Sequence, residues 1–325
     1  MNILVTGGAG FIGSNFIHYM LQTYENYRII NYDALTYSGN LANLTAVEQD
    51  SRYVFIKGSI QNRELVEHVV KEYEVDAIIN FAAESHVDRS IENPIPFYDS
   101  NVIGTVTLLE IVKKYPHIKM IQISTDEVYG SLGKEGKFTE TTSLDPSSPY
   151  SSSKASADMI ALSYYKTYQL PIIVTRCSNN YGPYQYPEKL IPLMITKVLE
   201  GKKLPIYGDG LNIRDWLHVH DHCHAIDVVL HKGKLGEVYN IGGNNEKTNI
   251  EIVENIVSLL GKGKESIEFV PDRLGHDRRY AIDAEKMKEE LGWEPAYTFE
   301  QGIEETVRWY ERNEKWWLPL KGVSR

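Results

Sequence analysis

The chain has 325 residues, a formal net charge of −10, 42% hydrophobic and 24% charged residues, and two cysteines, Cys177 and Cys223. That length allows one large or two modest domains with a sizeable core, and the acidic balance argues against nucleic-acid or anionic-membrane partners, which need a basic field. Two cysteines are too few for a disulfide framework, so a reducing cytoplasm is expected.

No stretch approaches the roughly 20 apolar residues of a membrane span. The opening MNILVTGG runs straight into a folded motif, with neither a basic leader nor a small-residue cleavage site, so no signal peptide is expected. Short, almost continuously apolar runs follow at 2–6, 28–33, 53–57, 76–81, 119–124 and 171–176. Such runs are the pattern of parallel strands buried on both faces. Helical patterns separate them, among them 63–73 and 154–165. The alternation predicts an α/β fold with a doubly wound parallel sheet.

The first strand ends in TGGAGFIG, residues 6–13, before a helical pattern. Gly8, Gly10 and Gly13 satisfy G-x-G-x-x-G, and Gly7, Gly10 and Gly13 satisfy G-x-x-G-x-x-G. Glycines let a pyrophosphate approach the backbone, and the helix N-terminus presents free N–H groups. Asp33 lies 20 residues past Gly13 at the end of the second strand. A carboxylate there binds a ribose 2′-hydroxyl and repels a 2′-phosphate, which favours NAD over NADP.

The fifth strand, KMIQIS, runs into Thr125, Asp126 and Glu127. A sheet has no need of adjacent carboxylates at a strand end. They read either as a cap or as an acid–base pair whose crowding pushes the two pKa values apart. Tyr150 and Lys154 follow with i, i+4 spacing at a helix start, on one helix face. An adjacent ammonium and a cationic nicotinamide ring would favour the phenolate and lower the tyrosine pKa. The bland reading is a surface pair.

From about residue 181 proline and glycine become frequent and the elements shorten, which predicts a smaller, mixed α/β second domain over the carboxyl edge of the sheet. HVHDHCH, residues 218–224, resembles a metal-ligand cluster. His218 and His220 are expected at a strand end, with Asp221 capping the next helix and the side chains scattered over different faces, so no metal is expected. Residues 298–312 predict a capped amphipathic helix.

The chain resembles the extended short-chain dehydrogenase/reductase family along essentially its whole length. The likeness rests on TGGAGFIG, NFAAESHVDRS (80–90), ISTDEVYG (123–130), PYSSSK (149–154), CSNNYGPYQYPEKLIP (177–192), LNIRDWL (211–217) and DRLGHDRRY (272–280). It implies a Rossmann-type domain over 1–180, with some later segments returning to it, and a domain over 181–325 that mainly binds a sugar nucleotide. The Thr-Asp-Glu triplet is most like that of nucleotide-sugar 4,6-dehydratases acting on dTDP-glucose. Related epimerases carry small or neutral residues beside the threonine. Those dehydratases oxidise sugar C4 with bound NAD, eliminate water across C5–C6 and return hydride to C6.

By this resemblance Glu127 is the base at C5, Asp126 the acid at the C6 hydroxyl, Thr125 a donor to the C4 oxygen, and Tyr150 with Lys154 the C4 proton acceptor. Implied cofactor contacts, besides Gly7, Gly10 and Gly13, are Phe11, Ile12, Asp33, Ala34, Leu35, Thr36, Ser59, Ile60, Phe81, Ala82, Ala83, Glu84, Ser85, Ser100, Tyr150, Lys154 and Asn180. Implied substrate contacts are Ser85, Thr125, Asn179, Lys189, Leu190, Pro205, Ile206, Tyr207, Arg214, Asn249, Asp272, Arg273, Leu274, Gly275 and His276. Lys189, Arg214 and Arg273 supply the local positive charge that a nucleotide diphosphate needs. Ser59 stands where the family usually has aspartate beside the adenine, and Leu274 where proline is expected. A homodimer through helices over 94–114 and 152–169 is implied as well. The alternatives are another nucleotide-sugar dehydratase or 4-epimerase, and a non-catalytic NAD or sugar-nucleotide sensor.

Overall fold

The computed structural model describes residues 1–272 and 276–321. β1 (Asn2–Thr6), α1 (Phe11–Thr23), β2 (Arg28–Asp33), β3 (Tyr53–Lys57), α2 (Arg63–Glu72) and β4 (Ala77–Asn80) open the chain. α3 (Val87–Glu92) and α4 (Ile95–Phe97) lead through a π-helical stretch, Tyr98–Ile103, into α5 (Gly104–Lys114). β5 (Lys119–Thr125), α6 (Pro149–Tyr168) and β6 (Ile172–Cys177) follow. The six expected strands all form, each with its ends within a residue of the apolar run that predicts it. The helix predicted over 154–165 starts earlier, because Ser148 and Ser151 form a reciprocal cap and Pro149 takes the first turn, where no N–H is needed.

Beyond β6 come β7 (Asn179–Tyr181), α7 (Leu190–Leu199), β8 (Leu204–Tyr207), β9 (Ile213–His218), α8 (Val219–Lys232) and β10 (Val238–Ile241). β11 (Glu246–Thr248), α9 (Asn249–Leu259), β12 (Ile267–Val270), α10 (Glu285–Leu291), α11 (Phe299–Arg312) and α12 (Glu314–Trp317) complete the fold. β10 joins the main sheet, pairing parallel to β6 with Val238 opposite Val174. The seven parallel strands run in the order β10-β6-β5-β4-β1-β2-β3, the doubly wound arrangement the strand–helix alternation predicts.

The two faces of that sheet bury alternate residues. Ile3, Val5, Ile79 and Ile121 pack with Phe16 of α1 and Ile226 of α8. Leu4, Ile78, Met120 and Ile172 pack with Val66 of α2, Leu108 of α5 and Ala161 of α6. A third core joins Tyr181, Ile191, Trp216, Ile252, Phe299 and Ile303 around the small sheet β11-β9-β7. β8 and β12 form a separate parallel pair. None of the described helices is long and apolar enough to cross a membrane.

The helix after β9 departs from expectation. α8 begins at Val219, with His218 as its cap residue and no side-chain cap bond. Asp221 is therefore inside the first turn and does not cap. Its two oxygens accept the backbone N–H groups of Ala296 and Tyr297, both at 3.0 Å, so burial turns a capping residue into a tie to the loop before α11. His220 lies on the helix and not at the strand end. The C-terminal helix does carry the expected cap, a reciprocal Thr298–Gln301 box.

Candidate active site

A cleft of about 540 Å³ opens at the carboxyl ends of the sheet strands, where open α/β sheets bind ligands. The glycine loop forms one wall. Gly7 has φ +68°, and a Cβ there would stand 2.6 Å from the Ala82 backbone nitrogen. A Cβ at Gly13 would collide with the Gly7 carbonyl oxygen. Only a chain without side chains at these points closes the turn and leaves the N-terminus of α1 open to a pyrophosphate.

Asp33 ends β2 beside that loop. Its Oδ2 accepts the Ala9 N–H at 2.9 Å and its Oδ1 the Leu35 N–H at 2.7 Å. Burial pushes its carboxyl above the usual range, and the two N–H groups oppose that shift. Each carboxylate oxygen retains a lone pair for a ribose hydroxyl. Loop and carboxylate together fit a dinucleotide lacking a 2′-phosphate.

The acid pair sits where β5 gives way to a 3-10 turn, Asp126–Tyr129. The Thr125 hydroxyl accepts the Glu127 N–H at 3.3 Å and lies 3.3 Å from Asp126 Oδ1, to which it donates. Asp126 is 2% exposed, and its Oδ2 has no partner among the described residues. Burial holds its carboxyl well above the ordinary range, and the charges of Glu127 and Asp215 push the same way. Arg214 and Thr125 oppose them. Glu127 is only half-buried.

Tyr150 and Lys154 fall on the first turns of α6, both buried and both lining the cleft. Ser90 Oγ accepts the Tyr150 backbone N–H at 3.1 Å, which fixes the start of the helix. Lys154 Nζ donates to the Ile123 carbonyl at 2.6 Å. The expected lowering of the tyrosine pKa is not found in the protein's own groups. Burial, then Glu127, Cys177 and Asp126, drive the phenol well above its ordinary value, and only a hydrogen bond with Thr125 opposes them. A buried hydroxyl facing carboxylates resists ionising, and a cationic nicotinamide ring acts in the opposite sense. Burial lowers the Lys154 pKa, and Asp158 one turn on works against it.

The structure brings most of the singled-out residues together. Thr125, Asp126, Glu127, Tyr150 and Lys154 line the one cleft. Of the residues expected around the cofactor, Gly7, Gly10, Phe11, Ile12, Gly13, Asp33, Ala34, Thr36, Ser59 and Ile60 line it, as do Phe81, Ala82, Ala83, Glu84, Ser85, Ser100 and Asn180. Leu35 does not; it has φ +54° and contributes its N–H to Asp33. Of those expected around the substrate, Ser85, Asn179 and Lys189 line the cleft, with Lys189 Nζ 3.2 Å from the Ser85 carbonyl. Leu190, Pro205, Ile206, Tyr207, Asn249, Asp272 and His276 lie outside its walls. Arg214 is also outside, its guanidinium 4.2 Å from the Tyr280 ring centre and bonded to the Asp277 carbonyl at 2.9 Å. Arg273, Leu274 and Gly275 lie outside the described residues.

Several supporting residues are not among those the sequence singles out, although Asp215 lies within LNIRDWL. Asn101 accepts the Glu84 N–H, donates to the Glu84 carbonyl and donates to Ser153 Oγ, joining the cleft wall to α6. It follows Asp99 and Ser100 in the π-helical stretch, so nothing in the sequence marks it out from its polar neighbours. Asp158 is paired with Arg176 at 2.9 Å behind Lys154, both essentially buried. Asp215 accepts the Gly243 and Asn245 N–H groups and adds negative field at Asp126.

The family pattern described as GDP-mannose 4,6 dehydratase matches residues 4–306. A dTDP-glucose 4,6-dehydratase of Xanthomonas campestris pv. campestris (strain B100) is 55% identical, over 96% of this chain and 94% of its own. The solved structure of a dTDP-glucose 4,6-dehydratase from Bacillus anthracis str. Ames in complex with NAD is 75% identical, with TM-score 0.95, covering 99% of this chain and 100% of that one. One from Streptomyces venezuelae, with NAD and TYD bound, is 48% identical with TM-score 0.96, over 99% and 100% of the two chains.

Proposed function

The chain belongs to the GDP-mannose 4,6 dehydratase family, and from that premise we propose that it is an NAD-dependent lyase converting dTDP-glucose to dTDP-4-keto-6-deoxyglucose and water. The observation that carries this reading is Asp126: a carboxyl raised well above its ordinary value by burial, beside a half-buried Glu127, in the cleft that also holds Tyr150, Lys154 and the glycine loop.

Bound NAD supplies a reversible hydride acceptor, taking hydride from sugar C4 and returning it at C6. Tyr150 takes the C4 hydroxyl proton as the ketone forms, and the Thr125 hydroxyl turns from Asp126 to donate a hydrogen bond to the C4 oxygen. Lys154, fixed on the Ile123 carbonyl, holds positive charge next to the developing phenolate. The C4 ketone acidifies C5–H. Glu127 removes that proton, and Asp126 protonates the C6 hydroxyl, which leaves as water. An acid and a base in unlike states on the same strand end meet what the elimination demands. As hydride reaches C6, Glu127 gives its proton back to C5, and the proton held by Tyr150 offsets the one Asp126 gave up, so the net change is loss of one water with no net oxidation.

In this reading residues 1–180 hold NAD and residues 181–325 mainly hold the sugar nucleotide, with Lys189 at the diphosphate. Arg214 then acts from behind Tyr280, biasing Asp126 electrostatically. The protein acts in the cytoplasm as a homodimer. Exposed Ile95, Ile103, Met159 and Tyr168 on α4, the π-helical stretch and α6 support that dimer face.

The test is incubation of the purified protein with dTDP-glucose without added NAD, read by the alkali-induced absorbance of a 4-keto-6-deoxy sugar. UDP-, GDP- and CDP-sugars run in parallel. Product from dTDP-glucose alone is expected. Silence with dTDP-glucose even after NAD is added refutes the reading.

A further inference from the structure

Away from the cleft, β9, α8 and α11 place two histidines and a glutamate together. His218 ends β9, His220 is the second residue of α8, and Glu305 lies in the middle of α11. One ligand atom from each lies within 4.8 Å of the others. The sequence pattern pointed to scatter, and His222, His224 and Cys223 do fall outside this group. Glu305, 85 residues on from His220, was not legible as a partner.

His218 supplies the second observation. It is 2% exposed, yet neither of its ring nitrogens has a hydrogen-bond partner among the described residues. A buried neutral imidazole ordinarily has both nitrogens satisfied. The ring is held in place, stacked on Tyr297 with centres 4.0 Å apart. The Tyr297 hydroxyl lies 3.4 Å from His220 Nδ1, and the negative charge of Glu305 acts on that hydroxyl. Asp221 fastens the backbone of Tyr297 to the start of α8. The three groups are thus carried by regular elements and oriented by a surrounding hydrogen-bonded residue, the arrangement that metal ligands require.

We propose that His218, His220 and Glu305 form a site for a divalent transition ion of the zinc class, joining the β9–α8 junction to α11. Two imidazoles and one carboxylate leave a fourth position for water, a donor set suited to Zn²⁺. Ligands of a tetrahedral zinc stand about 3.3 Å apart, given bond lengths of roughly 2.0–2.1 Å. The three ligand atoms already stand within 4.8 Å of one another, and Glu305 is exposed. None of the three lines the catalytic cleft, so the ion acts as a staple of the fold and takes no part in the chemistry.

The experiment is equilibrium dialysis of the full-length, EDTA-treated protein against Zn²⁺, with Co²⁺ absorption as a spectroscopic probe. The wild type is expected to bind one equivalent per chain, to show the strong visible bands of four-coordinate Co²⁺, and to melt at higher temperature with Zn²⁺. His220→Ala and Glu305→Gln are each expected to weaken binding at least about tenfold, since even outer-shell changes cost 10–100-fold. Circular dichroism melts without metal serve as the folding control. Glu305→Gln, at an exposed position, keeps the test open if His220→Ala misfolds. Absent or non-saturable binding, or affinity unchanged in a folded variant of either residue, overturns the proposal.

Discussion

Replacing Asp126 by Asn separates proton donation from everything else the residue does. The amide has the same shape and still accepts from the Thr125 hydroxyl, now 3.3 Å from Oδ1. It has no proton to give to a departing C6 hydroxyl. Loss of a positioned general acid costs about 10²–10⁴ in rate, or roughly 3–5.5 kcal/mol of barrier. The loss falls on elimination alone, because Tyr150, Lys154 and the glycine loop are untouched. Mixed with dTDP-glucose in a single turnover, the variant is expected to develop the absorbance of reduced nicotinamide at a rate near wild type. Product with the alkaline chromophore should then form at least 100-fold more slowly. A variant that forms product within tenfold of wild type, or one that fails to reduce nicotinamide at all, refutes the assignment of Asp126 as the acid.

The same substitution has a signed effect on stability. The folded-state carboxyl is raised above its ordinary value of 3.8, chiefly by burial. A raised carboxyl contributes stability that is present below that value and lost as pH rises through the folded pKa. The amide does not titrate. Thermal midpoints of wild type and Asp126→Asn should therefore diverge in favour of the variant as pH is raised from 4 to 8. Parallel curves would mean that the carboxyl is not buried in its acid form.

Glu127→Gln should also reduce nicotinamide and stall, losing about 10²–10⁴ in product formation, because the C5 proton then has no base; hydrogen–deuterium exchange at C5, measured by mass spectrometry, should stop. Tyr150→Phe should block the earlier step, so that no reduced nicotinamide appears on mixing with substrate. Arg176→Met removes the guanidinium that lies 2.9 Å from buried Asp158, leaving only the charge of Lys154 to oppose the burial of that carboxylate, and should cost about 3–5 kcal/mol in urea unfolding. Gly7→Ala forces a Cβ to within 2.6 Å of the Ala82 nitrogen at φ +68°, and the purified variant should contain far less NAD by absorbance after denaturation.

What was readable in the sequence was what short-range physics encodes. Five of the six apolar runs form strands that are largely buried on both faces, and β3 forms the half-exposed edge; the glycine loop announces itself because no other residue fits φ +68° against a neighbouring backbone. β10 escaped because VYNI is four residues long, too short to show a period, and its burial depends on β6 lying alongside. Asp221 was misread for a related reason. Capping is a local expectation, and the two N–H groups it accepts instead come from 75 and 76 residues away. Asn101, Asp158 and Asp215 have polar neighbours in the chain, and only the assembled fold shows that these three are buried and which partners justify burying them.

Adjacency in sequence also conceals why Asp126 and Glu127 differ. Along a strand, neighbours point to opposite faces and both would meet sheet-packing helices. Here the strand stops at Thr125 and the chain tightens into a 3-10 turn. Three residues per turn rotate successive side chains by about 120°. One rotation sends Asp126 inward towards the field of Asp215, and the next leaves Glu127 half-buried. Thr125 secures the change by accepting the Glu127 N–H while its own hydrogen lies towards Asp126. Two carboxyls one residue apart thus come to stand in unlike surroundings, Asp126 buried and raised well above its ordinary value, Glu127 half-buried. On the proposed reading Thr125→Val, which removes the hydroxyl that bonds Asp126 and the Glu127 N–H, should slow both the appearance of reduced nicotinamide and product formation when mixed with dTDP-glucose, and loss of only one of the two would refute the double role.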